Sequence, residues 1–340
     1  MKKTLIAMAV VAASSTAMAQ SSVTLFGIVD AALARVSANG ISKTGITNSG
    51  LNSSRFGMRG TEDLGGGLKA GFHLEGALSN DDGNLAGLNF RRKSYVTLTG
   101  GFGEIRIGRE YTPTFWNTTI YDPFGTNGVG TSNAPGMLAA GGGTNNGAAV
   151  RADNSISYLM SASGFSLHAM WASGENASNV AAKTNDYLGA RVAYAAGPLD
   201  VAFAWGKNKG ATGPVDVTYT NMGIAYDLGM AKPMFQWGQE KDDTLKVSNW
   251  LLGVVVPMGA GNIKAAYSRY DVSNSANDWN KFAIGYDYSL SKRTILYTTY
   301  ANVSNKGVQV ASVANNGLSA GAAAPGGSSN GYEFGIRHQF

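Results

Sequence analysis

The residue types that most often perform catalysis are few and widely spaced in this chain of 340 residues. There are three histidines, His73, His168 and His338, and no cysteine. None of the histidines falls in a nucleophile motif such as G-x-S-x-G or in the spacing of metal ligands. No glycine-rich run follows a strand and opens a helix, as a phosphate-binding loop does. The sequence therefore predicts neither an enzyme nor a site for a cofactor or a metal.

Charged residues instead recur on one face of predicted strands. Arg55 is followed by the apolar Phe56 and Met58, which have the opposite parity, and Arg151 shares its parity with polar residues such as Ser155. Because side chains alternate between the two faces of a strand, both arginines lie on a polar face. Arginines on a polar face can act on ions through their charge, without covalent chemistry.

Alternation of apolar and polar residues is the strongest pattern after residue 20. In the segment 68–75 the apolar side chains share one face, while Lys69, His73 and Glu75 share the other. A period of two over about ten residues is typical of transmembrane β-strands. No uncharged apolar run in this part of the chain reaches the roughly 20 residues of a membrane-spanning helix.

This pattern, read between turn signals, predicts an all-β protein of sixteen strands. Short turns and longer loops alternate along the chain, as expected for a closed antiparallel transmembrane β-barrel with both ends of the chain on the short-turn side. The predicted strands cover residues 22–36, 51–62, 68–79, 89–100, 104–110, 150–161, 164–173, 185–196, 198–206, 217–228, 231–241, 246–257, 261–272, 278–290, 293–303 and 331–340. The predicted longer loops are 37–50, 80–88, 111–149, 174–184, 207–216, 242–245, 273–277 and 304–330, of which 242–245 breaks the length rule.

The first residues have the three parts of a secretory signal. Lys2 and Lys3 precede an apolar stretch, and Ala17-Met18-Ala19 forms a cleavage site before Gln20. A membrane anchor is the alternative, but the apolar stretch is shorter than the roughly 20 residues that an anchor needs. We therefore expect a cleaved signal peptide at 1–19 and a single transmembrane barrel domain at 20–340. Cleavage lowers the formal net charge from +5 by two, to +3.

Two of the predicted loops are unusually long. The loop 111–149 begins with several aromatic residues, among them Tyr111, Phe115 and Trp116, and becomes rich in glycine and asparagine. It could be a flexible surface loop, or it could fold into the barrel, where its aromatic side chains would pack. The second possibility is the one we favour. The loop 304–330, rich in small residues, is expected to be exposed and mobile.

Several segments in order resemble the general diffusion porins of Gram-negative bacteria, especially the trimeric type common in β-proteobacteria. The resemblance spans essentially the whole mature chain, and each segment alone would be a weak signal. The segments are 22–30 (SVTLFGIVD), 54–67 (SRFGMRGTEDLGGG), 90–98 (FRRKSYVTL), 101–109 (GFGEIRIGR), 151–158 (RADNSISY) and 331–340 (GYEFGIRHQF).

The resemblance implies a water-filled channel in the outer membrane, embedded in its lipids, for passive diffusion of small hydrophilic solutes and ions. It also implies a homotrimer and a third outside loop, 111–149, that folds inward as the pore constriction. Tyr332, Phe334 and Ile336 alternate before the terminal Phe340. In the family such a last strand is read by the outer-membrane assembly machinery.

The resemblance also points to the residues at the constriction. In porins of this kind, arginines on the wall opposite the inward loop create a transverse field. Matching by motif gives Arg55, Arg92 and Arg151 as the wall residues. Strand alternation conflicts with this match for Arg92, because Arg92 has the same parity as the apolar Val96 and Leu98. Arg91 and Lys93 therefore remain the alternative inward pair.

Asp122 and Glu110 are the acidic candidates on the loop side. Asp122 fits equally well as a turn residue in Tyr-Asp-Pro-Phe-Gly. If basic groups outnumber acids at the constriction, the channel favours small anions.

A substrate-specific channel is the remaining alternative to general diffusion. Its sign would be a continuous track of aromatic side chains along the lumen. Nucleic acid is not expected as a partner, because the basic residues behind the pI near 9.2 are dispersed.

Overall fold

The computed structural model describes residues 22–83, 89–132, 134–144, 149–179, 184–212, 214–315 and 317–340. The expected signal peptide at 1–19 lies outside the described residues. Within those ranges, no helix has the length and apolarity that crossing a membrane requires.

The described residues form nineteen strands and two short helices. The helices are α1 (Pro113–Ile120) and α2 (Met137–Ala140). The strands are β1 (Ser22–Ala38), β2 (Ile41–Asn48), β3 (Arg55–Gly65), β4 (Leu68–Ala77), β5 (Lys93–Gly100), β6 (Gly103–Tyr111), β7 (Arg151–Ala162), β8 (Phe165–Ala172), β9 (Asp186–Ala196), β10 (Leu199–Thr212), β11 (Val215–Tyr226), β12 (Lys232–Lys241), β13 (Lys246–Met258), β14 (Gly261–Val272), β15 (Trp279–Ser289), β16 (Thr294–Asn305), β17 (Ala314–Asn315), β18 (Leu318–Ser319) and β19 (Ser328–Gln339).

Antiparallel pairing joins these strands into a closed wall. From β3 to β16 each strand pairs with the next, β16 pairs with β19, and β19 pairs with β1 from Ile28 opposite Gln339 to Ala38 opposite Ser329. The N-terminal part of β1, residues 22–28, pairs with β3, and its C-terminal part, residues 31–38, pairs with β2. The strands β2 and β3 therefore occupy one position in the wall. Since β17 and β18 pair only with each other, the wall has sixteen positions, which confirms the predicted barrel.

The two faces of the wall differ as the alternation predicts. Val96, Ile107 and Ile156 lie side by side in register across β5, β6 and β7, and all three are exposed on the outside. The next register row, which contains Arg106 and Ser157, faces inward. Apolar side chains toward lipid and a closed ladder of backbone hydrogen bonds meet both requirements of the hydrocarbon region.

Three predicted loops are wrong in extent or character. Residues 37–50 contain a tight hairpin between β1 and β2, in which Asn39 and Gly40 both have positive φ, as a two-residue turn of this kind requires. Residues 207–216 mostly extend β10 and β11 rather than forming a loop. The described part of 304–330 is not uniformly exposed, because Val313 and Ala320 are buried in the core.

The β6–β7 connection, of which the structure describes residues 112–132, 134–144 and 149–150, packs in part against the inner face of the wall through a row of glycines. A β-carbon on Gly223 would lie 2.0 Å from the Tyr121 ring, and one on Gly253 would lie 2.6 Å from Pro123. β-Carbons on Gly285 and Gly331 would lie 3.2 Å from Phe124 and Val129, respectively. Because these glycines have no side chains, the wall has a groove there, and the connection packs into it. We call this the glycine groove.

Polar contacts hold the remainder of the connection. Glu240 on β12 accepts hydrogen bonds of 2.9 Å from the backbone N–H groups of Gly136 and Leu138, at the start of α2. Gln309 donates a hydrogen bond of 3.1 Å to the carbonyl of Ala140 at the end of the same helix. The long loop near the end of the chain thus also contributes to positioning the connection.

Candidate functional site

Three arginines converge where strands begin at the same end of the barrel. Arg55 is the first residue of β3, Arg151 is the first residue of β7, and Arg92 immediately precedes β5. The sequence predicted these three from different strands. The fold brings them together around two further side chains, Glu75 of β4 and Tyr111 of β6.

Glu75 and Tyr111 connect the arginines by hydrogen bonds. Arg92 donates from Nε to Glu75 at 2.6 Å and from its terminal nitrogen to the Tyr111 hydroxyl at 2.6 Å. Arg151 donates to the same hydroxyl at 2.7 Å, and its guanidinium carbon lies 4.4 Å from the centre of the Tyr111 ring. Arg55 lies 3.5 Å from Glu75. We call Arg55, Arg92, Arg151, Glu75 and Tyr111 the arginine cluster.

The charges in the arginine cluster do not balance. Glu75 is shared by Arg55 and Arg92 and also contacts His73 at 3.4 Å. Arg151 makes no ion pair with any carboxylate in the part of the chain that the structure describes; its partners are the Tyr111 hydroxyl and the carbonyl of Arg92. Three guanidinium groups are therefore accompanied by one carboxylate.

The parity conflict at Arg92 disappears in the structure because Arg92 lies outside β5. Its backbone N–H donates to the Glu75 carbonyl at 3.0 Å, but the alternating strand begins only at Lys93. Lys93 also faces inward, where its amine lies 3.5 Å from Glu110. Arg91 is exposed. The structure thus places Arg92 and Lys93, one from each alternative, on the inside.

The two acidic candidates are both engaged in local contacts. Glu110 is buried in β6 and pairs with Arg106 and Lys93. Asp122 accepts hydrogen bonds from the backbone N–H groups of Phe124 at 2.8 Å and Ser132 at 2.9 Å, an arrangement that matches the turn alternative. Burial raises the pKa of the Asp122 carboxyl above its ordinary value. Neither residue lines the cavity beside the arginine cluster.

A cavity of about 1060 Å³ adjoins the arginine cluster. Arg55, Arg92 and Arg151 line one side, and Asp81 and Asp82 of the β4–β5 connection also contribute to it. The β6–β7 connection adds aromatic, hydroxyl and amide side chains to the lining, and none of its described residues there is charged. The charged side chains that line the cavity are therefore these three arginines and the two aspartates, and the surface added by the β6–β7 connection is uncharged.

The sequence did not single out Glu75 or Tyr111 as groups that bridge the arginines, and it indicated Phe115 and Trp116 only as loop aromatics that would pack inside the barrel. The parity of Glu75 with Lys69 and His73 already placed it on the polar face. Its pairing with Arg92 depends on the register between β4 and β5, which local sequence does not specify. In the described residues, no group of His, Cys, Asp and Glu side chains could hold a metal ion.

Comparisons with known proteins agree on one family. A family model described as Gram-negative porin matches residues 5–308. Outer membrane porin protein 32 of Delftia acidovorans is 42% identical over 352 residues, covering 100% of both chains. An outer membrane porin protein of Bordetella pertussis is 28% identical and covers 87% of this chain and 93% of its own.

Solved structures give the same picture of the fold. An anion-selective porin from Comamonas acidovorans superimposes with a TM-score of 0.87 at 40% identity, covering 94% of this chain and 100% of that chain. The trimer form of OmpT, an outer membrane protein of Vibrio cholerae, superimposes with a TM-score of 0.67 at 16% identity, covering 94% and 99%. The second likeness concerns the fold alone.

Proposed function

Because the chain belongs to the Gram-negative porin family and is an outer-membrane β-barrel, we propose that it forms an anion-preferring channel for passive diffusion of small hydrophilic solutes and ions. At sixteen strands a barrel is too wide for its own side chains to fill, so water occupies the interior. Selection between ions then depends on the charges at the narrowest level.

The arginine cluster is the observation that carries the anion preference. Arg151 has no carboxylate partner in the described chain, and the single Glu75 serves Arg55 and Arg92. Asp81 and Asp82 also line the cavity, on the β4–β5 connection, and the surface that the β6–β7 connection adds is uncharged. The similar porin from Comamonas acidovorans is described as anion-selective, which supports the same preference here.

The β6–β7 connection is the proposed constriction. Part of it fills the glycine groove on the wall, and other residues of it line the cavity that adjoins the arginine cluster. This arrangement supports a pore that is narrowed between fixed positive charges and a polar, uncharged surface. In this proposal both acidic candidates, Asp122 and Glu110, stabilise the fold through their local contacts and do not contact passing ions.

Reversal potentials in planar bilayers test the anion preference. With a KCl gradient across the bilayer, we expect a sign that reports chloride as the more permeant ion. The preference should decrease from 0.1 M to 1 M salt, because the screening length falls from about 10 Å to about 3 Å. A cation-selective channel, or one without preference at low salt, would contradict the proposal.

We further propose that the protein is a homotrimer whose last strand is recognised by the outer-membrane assembly machinery. The family resemblance of segment 331–340 and the trimeric type of porin that it resembles support this assembly. The mass of the detergent-extracted protein, measured by light scattering with correction for detergent, should equal three chains. A monomer under mild extraction would contradict the proposed trimer.

A further inference from the structure

Three aromatic rings adjoin the arginine cluster. The Tyr111 ring stacks on Phe115 with centroids 4.9 Å apart and meets Trp116 edge-on at 5.2 Å. The Arg151 guanidinium lies over Tyr111, and the Lys93 amine lies 5.5 Å from the centre of Trp116. Three aromatic side chains and the cations of Arg151 and Lys93 thus form one contiguous group.

Phe115 and Trp116 remain accessible to solutes. Both side chains are half-buried and line the same cavity as Arg92 and Arg151. A structural role alone would be met by burying both rings completely, as Tyr121 on the same connection is buried. Aromatic surface is therefore left at the cavity beside the guanidinium groups.

Helix α1 holds these two rings in a fixed position. Its first turn is capped by Thr112, whose hydroxyl accepts a hydrogen bond from the Phe115 N–H. Its wall side is attached by Thr114, 3.1 Å from the Tyr187 hydroxyl, and by Asn117, which accepts a 2.6 Å hydrogen bond from Arg191. A surface held in this way needs little reordering to bind a flat ligand.

We infer that the cavity is a binding subsite for aromatic carboxylates, which it holds briefly during their passage through the channel. The carboxylate would pair with Arg151 and Arg92, and the ring would lie against Phe115 and Trp116. Guanidinium groups bind carboxylates with two parallel hydrogen bonds and also stack on aromatic faces. The inference rests on the proposed channel function and names a solute class for it.

Stacking between aromatic rings contributes about 0.5–1.5 kcal/mol beyond burial of area. Benzoate and cyclohexanecarboxylate have the same charge and similar size, but only benzoate has an aromatic face. We therefore expect benzoate to reduce the single-channel current at a concentration about two- to tenfold lower than cyclohexanecarboxylate does. Benzyl alcohol, which has the ring without the charge, should reduce it least.

The variant F115L/W116L removes both rings from the cavity but keeps apolar side chains. Its matched control is F203L/W205L, the same two substitutions on the outer face of β10, where both side chains are exposed. The benzoate preference should fall to about one in F115L/W116L and persist in F203L/W205L. If the double variant does not assemble, the single variants F115L and W116L should each lower the preference.

Failure of this inference is distinguishable from failure of the proposed function. A wild-type channel that prefers chloride over potassium but is blocked equally by benzoate and cyclohexanecarboxylate overturns only the aromatic subsite. Persistence of the benzoate preference in F115L/W116L would also overturn it. A wild-type channel without any anion preference would contradict the channel proposal itself.

Discussion

Among the residues of the arginine cluster, Arg151 differs from the other two arginines in its hydrogen-bond partners. It is held by a phenol hydroxyl and a backbone carbonyl, whereas Arg55 and Arg92 both face Glu75. Its charge is therefore not offset by a neighbour, and it contributes more to the field in the cavity than its position alone would suggest.

Neutralising this charge should weaken the anion preference. A unit charge about 4 Å from an ion in water changes the energy of that ion by about 1 kcal/mol, which is about fivefold in occupancy. We expect Arg151→Gln to lower the ratio of chloride to potassium permeability by up to that factor in reversal-potential measurements. Arg269→Gln, on the outer face of β14, is the control and should leave the ratio unchanged.

Removing the single carboxylate should have the opposite effect. In Glu75→Gln the arginine cluster keeps three positive charges without a negative one, so the anion preference should increase. The barrel should also lose about 1–3 kcal/mol of stability, because a charged acceptor of Arg92 is lost. Reversal potentials and thermal unfolding would measure the two effects, and an unchanged or reduced anion preference would contradict this assignment.

Single residues could be predicted from the sequence only where the strand alternation applies. Arg55 and Arg151 begin strands, so their parity placed them on the polar face. Arg92 precedes its strand and Asp122 lies in a turn, so their orientation depends on backbone hydrogen bonds to Glu75 and Ser132. For Asp122 the sequence offered the turn as one of two alternatives, whereas the contact of Arg92 joins it to a neighbouring strand, which strand alternation does not encode.

Among the strands and connections, the glycine groove is the feature that positions the β6–β7 connection. In β11 and β13, Gly223 and Gly253 interrupt the inward-facing side chains at the places where Tyr121 and Pro123 lie. In the sequence these glycines weaken the strand pattern without showing why. The packing of the β6–β7 connection against these glycines explains why they lack side chains at these positions.

Filling this groove should loosen the connection while leaving the wall intact. Gly223→Val places methyl groups where the Tyr121 ring lies, and overpacking of this kind costs about 1–3 kcal/mol. We expect noisier single-channel currents and a higher mean conductance. Met222→Val, the neighbouring residue on the exposed outer face, should behave as the wild type.

Elements were predicted best where turns are short and worst where loops seemed long. The Asn39-Gly40 dipeptide is a strong hairpin signal that was available in the sequence, yet residues 37–50 were expected to form a loop. The packing of Val313 in the loop 304–330 could not be expected from its composition, because it depends on a cavity formed by other strands.

At the scale of the whole molecule, Phe340 lies at the seam between the first and last strands. Its backbone exchanges two hydrogen bonds of 3.1 Å with Gly27, and its ring covers that glycine. Phe340→Ala should lower the amount of protein that reaches the outer membrane, while channels that do assemble should keep the wild-type reversal potential. Quantitative immunoblots of membrane fractions would measure the yield.

Phe165→Ala is the control for this variant, since Phe165 is also an exposed aromatic beside a short turn. It should not affect the yield. An equal loss in both variants would mean that any exposed aromatic at this level matters, and that the last residue is not specifically recognised.

The seam between β1 and β19 also determines how fast the barrel can form. Ile28 pairs with Gln339, 311 positions further along the chain, whereas most other neighbours in the wall are joined by hairpins. Each doubling of the length between two pairing segments adds about 0.6 kcal/mol of closure entropy, and folding rates fall as contacts become less local. We therefore expect the hairpins to form early and the ring to close last. Until it closes, β1 and β19 each have one edge without a partner, open to other chains, which makes closure the step at which folding competes with aggregation.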